Sequence, residues 1–139
     1  MSGNPKLPRG LLADFLAWYA KGRTKAEREV AREVFGADLG ITSYTTVAQA
    51  DALVEALRLG PGARLLDVGA GAGWPGLYLA GKTGCQVVLT DVPRAALRSA
   101  AARAYGRGLD DICSFALASG AHLPFRPRSF DAVVHTDVL

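Results

Sequence analysis

Leu65-Leu66-Asp67-Val68-Gly69-Ala70-Gly71-Ala72-Gly73 is an apolar run that ends in an acid and alternating glycines. Arg64, Leu65, Leu66 and Val68 follow the turn residues Gly60-Pro61-Gly62, as in a buried parallel strand whose start is set by a turn. Glycines can take positive φ and, having no Cβ, let a bound molecule lie against the backbone. Pro75 suits the first turn of a helix, where its missing N–H would have no intrahelical partner, and Leu77, Leu79 and Ala80 can pack back on a sheet. The segment reads strand, glycine loop, helix.

Such a unit needs a second strand, and Gln86-Val87-Val88-Leu89-Thr90-Asp91 supplies one. Asp91 stands 20 residues after Gly71. A carboxylate at that strand end can accept both hydroxyls of a ribose in a charge-assisted contact, which makes the ligand class an adenosine derivative.

Two cofactor classes compete for this geometry. Gly71-Ala72-Gly73-Trp74-Pro75-Gly76 matches the dinucleotide pattern G-x-G-x-x-G by letter, with Asp91 as its ribose acid. Aligned on the strand end instead, the glycines start at Gly69 and the third dinucleotide glycine falls on Trp74. Asp67 then occupies a place that nucleotide phosphates would avoid and favours a ligand with a cationic end.

These residues resemble class I S-adenosylmethionine-dependent methyltransferases, whose first motif is an acid-x-G-x-G-x-G loop after strand 1, matched by Asp67 through Gly73. Asp91 matches the family's ribose-binding acid. Ser119-Gly120-Ala121-His122-Leu123-Pro124-Phe125, followed by Ser129-Phe130-Asp131-Ala132-Val133-Val134, looks like the stretch from strand 3 through strand 4. The resemblance covers roughly residues 43 to 139. It implies an α/β, Rossmann-like parallel sheet and S-adenosylmethionine as cofactor. The binding residues it implies are Asp67, Val68, Gly69, Ala70, Gly71 and Gly73, then Asp91 and Val92, Ser119, Gly120 and Ala121, and His135. Members often carry an acid where Ser119 stands, directed at the adenine amino group; a serine hydroxyl offers a neutral bond there, and a plain turn serine is an equally simple reading.

At the carboxyl end of strand 4 stand His135, Thr136 and Asp137, in the crevice where ligands bind in open α/β sheets. His135 and Asp137 are the catalytic candidates, able to orient an acceptor or take its proton, against the plainer reading that they line the methionine end or cap the strand. They do not match the Asn/Asp-Pro-Pro-aromatic motif of enzymes that methylate amino groups of nucleic acids, which favours a small-molecule acceptor. Two alternatives stay open: a nicotinamide-dependent oxidoreductase half-domain, or a cofactor-binding or interaction module without catalysis.

Composition fits a globular domain with one core: 139 residues, 50% hydrophobic and 21% charged. The net charge of +3 is too balanced to indicate nucleic acid, and Arg94, Arg98, Arg103 and Arg107 read as a solvated helix face. Cys85 and Cys113 begin neighbouring strands and read as buried apolar residues in a reducing, cytoplasmic compartment. Lys6 and Arg9 precede a short apolar segment that Asp14 interrupts, unlike a signal peptide, and no apolar run spans a bilayer. No metal is expected.

Residues 1–42 read as a helical lid or substrate-side segment, and 43–139 as the cofactor-binding domain. Leu11, Leu12, Phe15, Leu16 and Tyr19 recur at helical spacing; Thr24 with Glu27 forms a capping pattern, and Val30, Val34 and Phe35 give that helix an apolar side. A further helix from about Thr46 to Leu59 turns Val47, Ala50, Val54 and Leu57 toward the sheet. In the resembling family such segments often supply substrate contacts, which makes Trp18, Tyr19, Tyr44 and Thr45 candidates beside ordinary core packing. Right-handed crossovers predict the strand order 3-2-1-4, incomplete relative to the seven-stranded family sheet. A fragment with a free strand 4 edge, open to self-association, is therefore expected.

Overall fold

The computed structural model describes residues 9–136. In chain order the elements are α1 (Arg9–Lys21), α2 (Lys25–Phe35), α3 (Val47–Leu57), β1 (Arg64–Val68), α4 (Gly76–Thr83), β2 (Gln86–Asp91), α5 (Arg94–Gly106), β3 (Cys113–Leu117) and β4 (Ala132–Val134). All strand pairs are parallel, in the expected order β3-β2-β1-β4. Leu66 lies level with Val88 on one side and Val133 on the other, and Val88 with Ser114, so alternate residues of all strands share a face.

One face is sealed. Right-handed crossovers that advance in one direction, from β1 through β2 to β3, leave α4 and α5 on the same side of the sheet. Leu65, Val87, Leu89, Cys113 and Val134 there join Leu77, Leu79 and Ala80 of α4 and Leu97 and Ala104 of α5 in one buried cluster. Leu53, Val54 and Leu57 of α3 pack against its border. Each fully buried leucine contributes roughly 2 kcal/mol by burial. Cys85 precedes β2 and Cys113 opens β3, both buried, and burial pushes the Cys113 thiol up to about 11.

On the opposite face, Leu66 and Val133 meet the segment that runs from β3 to β4, where Leu123, Phe125 and Phe130 border a hollow of about 240 Å³. Phe125 and Phe130 pack edge to face at 5.1 Å, yet Val133 remains 56% exposed. At the start of β1 the backbone N–H of Arg64 donates to the Asp131 carboxylate at 2.8 Å, and Asp131 N–H returns a bond to Arg64 O at 2.8 Å.

The capping pattern read at Thr24 forms, and the structure adds a second at Thr46. Thr24 accepts from Glu27 N–H while the Glu27 carboxylate takes the Thr24 N–H, and Thr46 and Gln49 repeat the exchange at α3. Helix α3 stops at Leu57 rather than Leu59 because Arg58 turns left-handed, φ 50°. Its apolar residues also divide: Ala50 and Val47 join Leu39, Trp74 and Tyr78 in a second cluster, while Val54 and Leu57 serve the main core. One expectation fails. Val30, Val34 and Phe35 of α2 are exposed, and only Ala31 of that helix is buried. The residues flanking the helix set its orientation: Arg23 bonds Asp38 at 2.7 Å and donates to Glu27 O, and Arg28 donates to Arg23 O.

Candidate functional site

The glycine loop leaves β1 with left-handed backbone at Gly69, Gly71 and Gly73, φ 73°, 55° and 105°. It is pinned to β2 by main-chain bonds: Gly69 and Ala70 N–H both donate to Thr90 O, at 2.8 and 2.9 Å. The three glycines have different reasons to be glycine. A Cβ on Gly73 would meet Leu77 Cδ1 at 2.5 Å, inside the core. A Cβ on Gly71 would instead meet the hydroxyls of Tyr19 at 2.7 Å and Thr42 at 3.2 Å, above the loop. Gly76, the third glycine of the dinucleotide pattern, has its Cβ position blocked by the Asp67 carboxylate, so packing against that acid accounts for the letter match.

Asp67 and Asp91 end adjacent strands in contrasting surroundings. Asp67 is fully buried; its Oδ2 accepts the Gly76 N–H at 2.9 Å, and its Oδ1 finds no partner among the described residues. Burial pushes its carboxyl up to about 7, Gly76 N–H pulls it back in part, and the negative charge of Asp91 raises it further. Asp91 is half-buried and accepts the Gly71 N–H at 2.7 Å and its neighbour Val92 N–H at 2.7 Å. A carboxylate offers about four lone-pair sites, so two remain for ligand hydroxyls. An orphaned acid oxygen beneath the loop and a partly free acid beside it fit an adenosine-linked ligand with a cationic end.

Val68 is buried on β1, and a Cβ on Gly120 would meet its Cγ1 at 3.2 Å, which brings the turn after β3 against the loop strand. Val92 and Leu117, 51% and 48% exposed, present apolar surface at the ends of β2 and β3. Ser119 Oγ accepts Ala121 N–H at 3.2 Å, and His122 N–H donates to Ser119 O at 2.9 Å, so the serine side chain is engaged in its own turn. His135 is exposed just past β4; Asp137 lies outside the described residues.

Of the aromatic candidates before β1, Trp18 and Tyr44 are exposed, Thr45 is buried and its carbonyl accepts Trp74 Nε1–H at 2.9 Å, and Tyr19 stands over Gly71. The solvated-face reading of α5 fails at Arg103. Its guanidinium turns inward, donates to Ala72 O, reaches Asp38 O at 3.0 Å and pairs with Asp38 Oδ2 at 3.2 Å. Burial pushes Asp38 up, but the Arg103 charge and hydrogen bond hold it below the usual carboxylate range. Helical spacing gives no sign of these contacts, which cross 31 and 65 residues.

The chain belongs to the class I S-adenosylmethionine-dependent methyltransferases: residues 66–139 match the family of methyltransferase domains, and the sheet has the corresponding order. Among relatives, methyltransferase GfsG of Streptomyces halstedii is 43% identical over 81 residues, 58% of this chain and 29% of that protein. The 27-O-demethylrifamycin SV methyltransferase of Amycolatopsis mediterranei is 34% identical over 88 residues, 63% and 32%. A solved methyltransferase from Thiobacillus denitrificans, in complex with S-adenosyl-L-homocysteine, superimposes with TM-score 0.63 at 26% identity, over 70% of this chain and 39% of that one. The chain thus spans about a third of the length of such relatives. Among the described residues no helix is long and apolar enough to cross a membrane.

Proposed function

We propose that this chain forms the S-adenosylmethionine-binding part of a methyltransferase that modifies a small molecule. The observation that carries the reading is the bond from Gly71 N–H to Asp91, which would set a ribose-binding acid against the glycine loop. Asp91 would accept the ribose hydroxyls, Val92 and Leu117 would flank the adenine, and the turn Ser119-Gly120-Ala121 would border its edge. Asp67, once ionised, would hold the cationic end from below through Val68, Gly69, Ala70 and Gly71, while Gly73 keeps the loop seated on the core. Bound there, the cofactor supplies a sulfonium methyl already activated for displacement. The chain's own part is then positioning and exclusion of water. His135 and Asp137, past β4, would orient the acceptor or take its proton.

A small-molecule acceptor draws support from the relative that is a 27-O-demethylrifamycin SV methyltransferase. An open, largely apolar groove of about 470 Å³ between α3 and Thr136, next to His135, is placed to receive it. We read residues 1–42 as the lid, 43–139 as the cofactor domain, and the compartment as the cytoplasm. β4 pairs with β1 alone among the described strands, which leaves an edge for self-association. Calorimetric titration with S-adenosylmethionine, with NADH as competitor, tests the reading: saturable binding that Gly71→Val abolishes supports it, and NADH outcompeting S-adenosylmethionine would overturn it.

A further inference from the structure

Helices α2 and α3 open on the same reciprocal cap, but the residue that closes it differs: Glu27 on α2 and Gln49 on α3. Either side chain serves, since the cap requires only an oxygen to accept the N–H of the threonine. Stability alone favours the carboxylate, because a helix N-terminus carries partial positive charge. Helix α3 nonetheless has no acid in its first turn. What the amide adds is its other end. Gln49 Oε1 accepts the Thr46 N–H at 2.8 Å, which leaves the NH2, a donor only, without a protein partner among the described residues.

Gln49 lines the groove of about 470 Å³ between α3 and Thr136. Ala52, Leu53 and Ala56 continue that wall along α3, and Ala52 and Ala56, one turn apart, keep it low. No charged side chain lines the groove among the described residues. Asp51, between Gln49 and Ala52 in sequence, is turned to α4, where its carboxylate accepts the Tyr78 hydroxyl at 2.6 Å. An ionised molecule entering the groove would lose water without meeting a counter-charge, a cost that a neutral one avoids.

We propose that Gln49 selects the methyl acceptor: its NH2 donates to an oxygen of an uncharged, mainly apolar molecule whose body lies along Ala52, Leu53 and Ala56. The inference rests on the functional reading above and names the chemical class that reading leaves open. A glutamate at position 49 would close the same cap but turn a negative charge to the groove in place of the donor, and this is the difference between the two helices.

The test follows amide shifts of the isotope-labelled full chain, in the presence of S-adenosylhomocysteine, on titration with 1-tetralone, which carries a neutral carbonyl, tetralin, which lacks it, and 1-naphthoate, which is charged. 1-Tetralone should shift the Gln49 side-chain NH2 and bind more tightly than 1-naphthoate. Gln49→Glu keeps the cap, so its denaturant midpoint should equal or exceed that of wild type. The same variant should weaken 1-tetralone about fivefold, the scale of one hydrogen bond, and leave tetralin within about twofold. Gln49→Met carries the test if Gln49→Glu does not fold. Equal binding of 1-tetralone to wild type and variant, equal weakening of both neutral probes, tighter binding of 1-naphthoate, or no binding of any probe overturns the inference alone. A wild-type chain that does not bind S-adenosylhomocysteine overturns the functional reading and this inference with it.

Discussion

The carboxyl edge of the sheet has two halves of different construction. At the ends of β1 and β2, each turn of the chain is fixed through its main-chain N–H groups: Gly69 and Ala70 donate to Thr90 O, Gly71 to the Asp91 carboxylate and Gly76 to the Asp67 carboxylate. At the ends of β3 and β4, the turn at Ser119 bonds within itself, Leu117 and Val133 stay half exposed, and His135 is open to solvent. The first half is held by bonds between adjacent strand ends; the second, tied to β2 by Ala118 N–H on Asp91 O, is largely a surface. In the proposed function the first half grips the cofactor and the second leaves room for the acceptor.

The sharpest way to break the contrast is to disturb the bonded half. Gly73→Val should destabilise the fold by at least about 3 kcal/mol, combining left-handed backbone strain with overpacking against Leu77. A midpoint in denaturant equal to wild type would refute the core role. Asp91→Ala removes the anchor of Gly71 together with the proposed ribose acceptor, and should weaken S-adenosylhomocysteine on the order of 100-fold by calorimetry.

Asp67 sharpens the comparison through pH. Its folded pKa of about 7 lies above the ordinary value of 3.8, so between these values the folded chain holds more protons than the unfolded one. Stability should therefore fall as pH rises from about 4 to 7 and level off above, and Asp67→Asn should flatten that profile in thermal melts. Affinity for the cationic cofactor should run the other way, strengthening as Asp67 ionises through pH about 7, with no such rise in Asp67→Asn.

Arg103→Met should loosen the segment at Asp38 and the glycine loop together and weaken S-adenosylhomocysteine by roughly fivefold, within the range of a hydrogen bond to a charged group. The smallest effect belongs to the open half. Ser119→Ala should change binding by no more than about twofold, because its hydroxyl serves a local turn; a tenfold loss would give it a direct role at the adenine.

The bonded half was also the legible half. Strand β1, the glycine loop, Asp91 and the capping box at Thr24 depend on contacts that are near in sequence or repeat at fixed spacing, and the strand order is that of the family the motifs resemble. Arg103 was misread because nothing in a helical repeat separates a solvated arginine from one that turns back to a carbonyl across the fold. Val30, Val34 and Phe35 were misread because amphipathic spacing specifies a face without saying what it meets. Tyr19 was singled out as a possible acceptor contact, but its place over Gly71 depends on how α1 docks, which short-range rules leave open.

The same asymmetry has a consequence in time. The bond that ties Gly71 to Asp91 closes a loop of 20 residues, while the one that seats β4 beside β1, between Arg64 and Asp131, spans 67. Shorter closure costs less chain entropy and comes sooner on average. The tie between the glycine loop and Asp91 should therefore form while the last strand is still searching, and in pulsed hydrogen exchange during refolding the Gly71 amide should gain protection before that of Asp131.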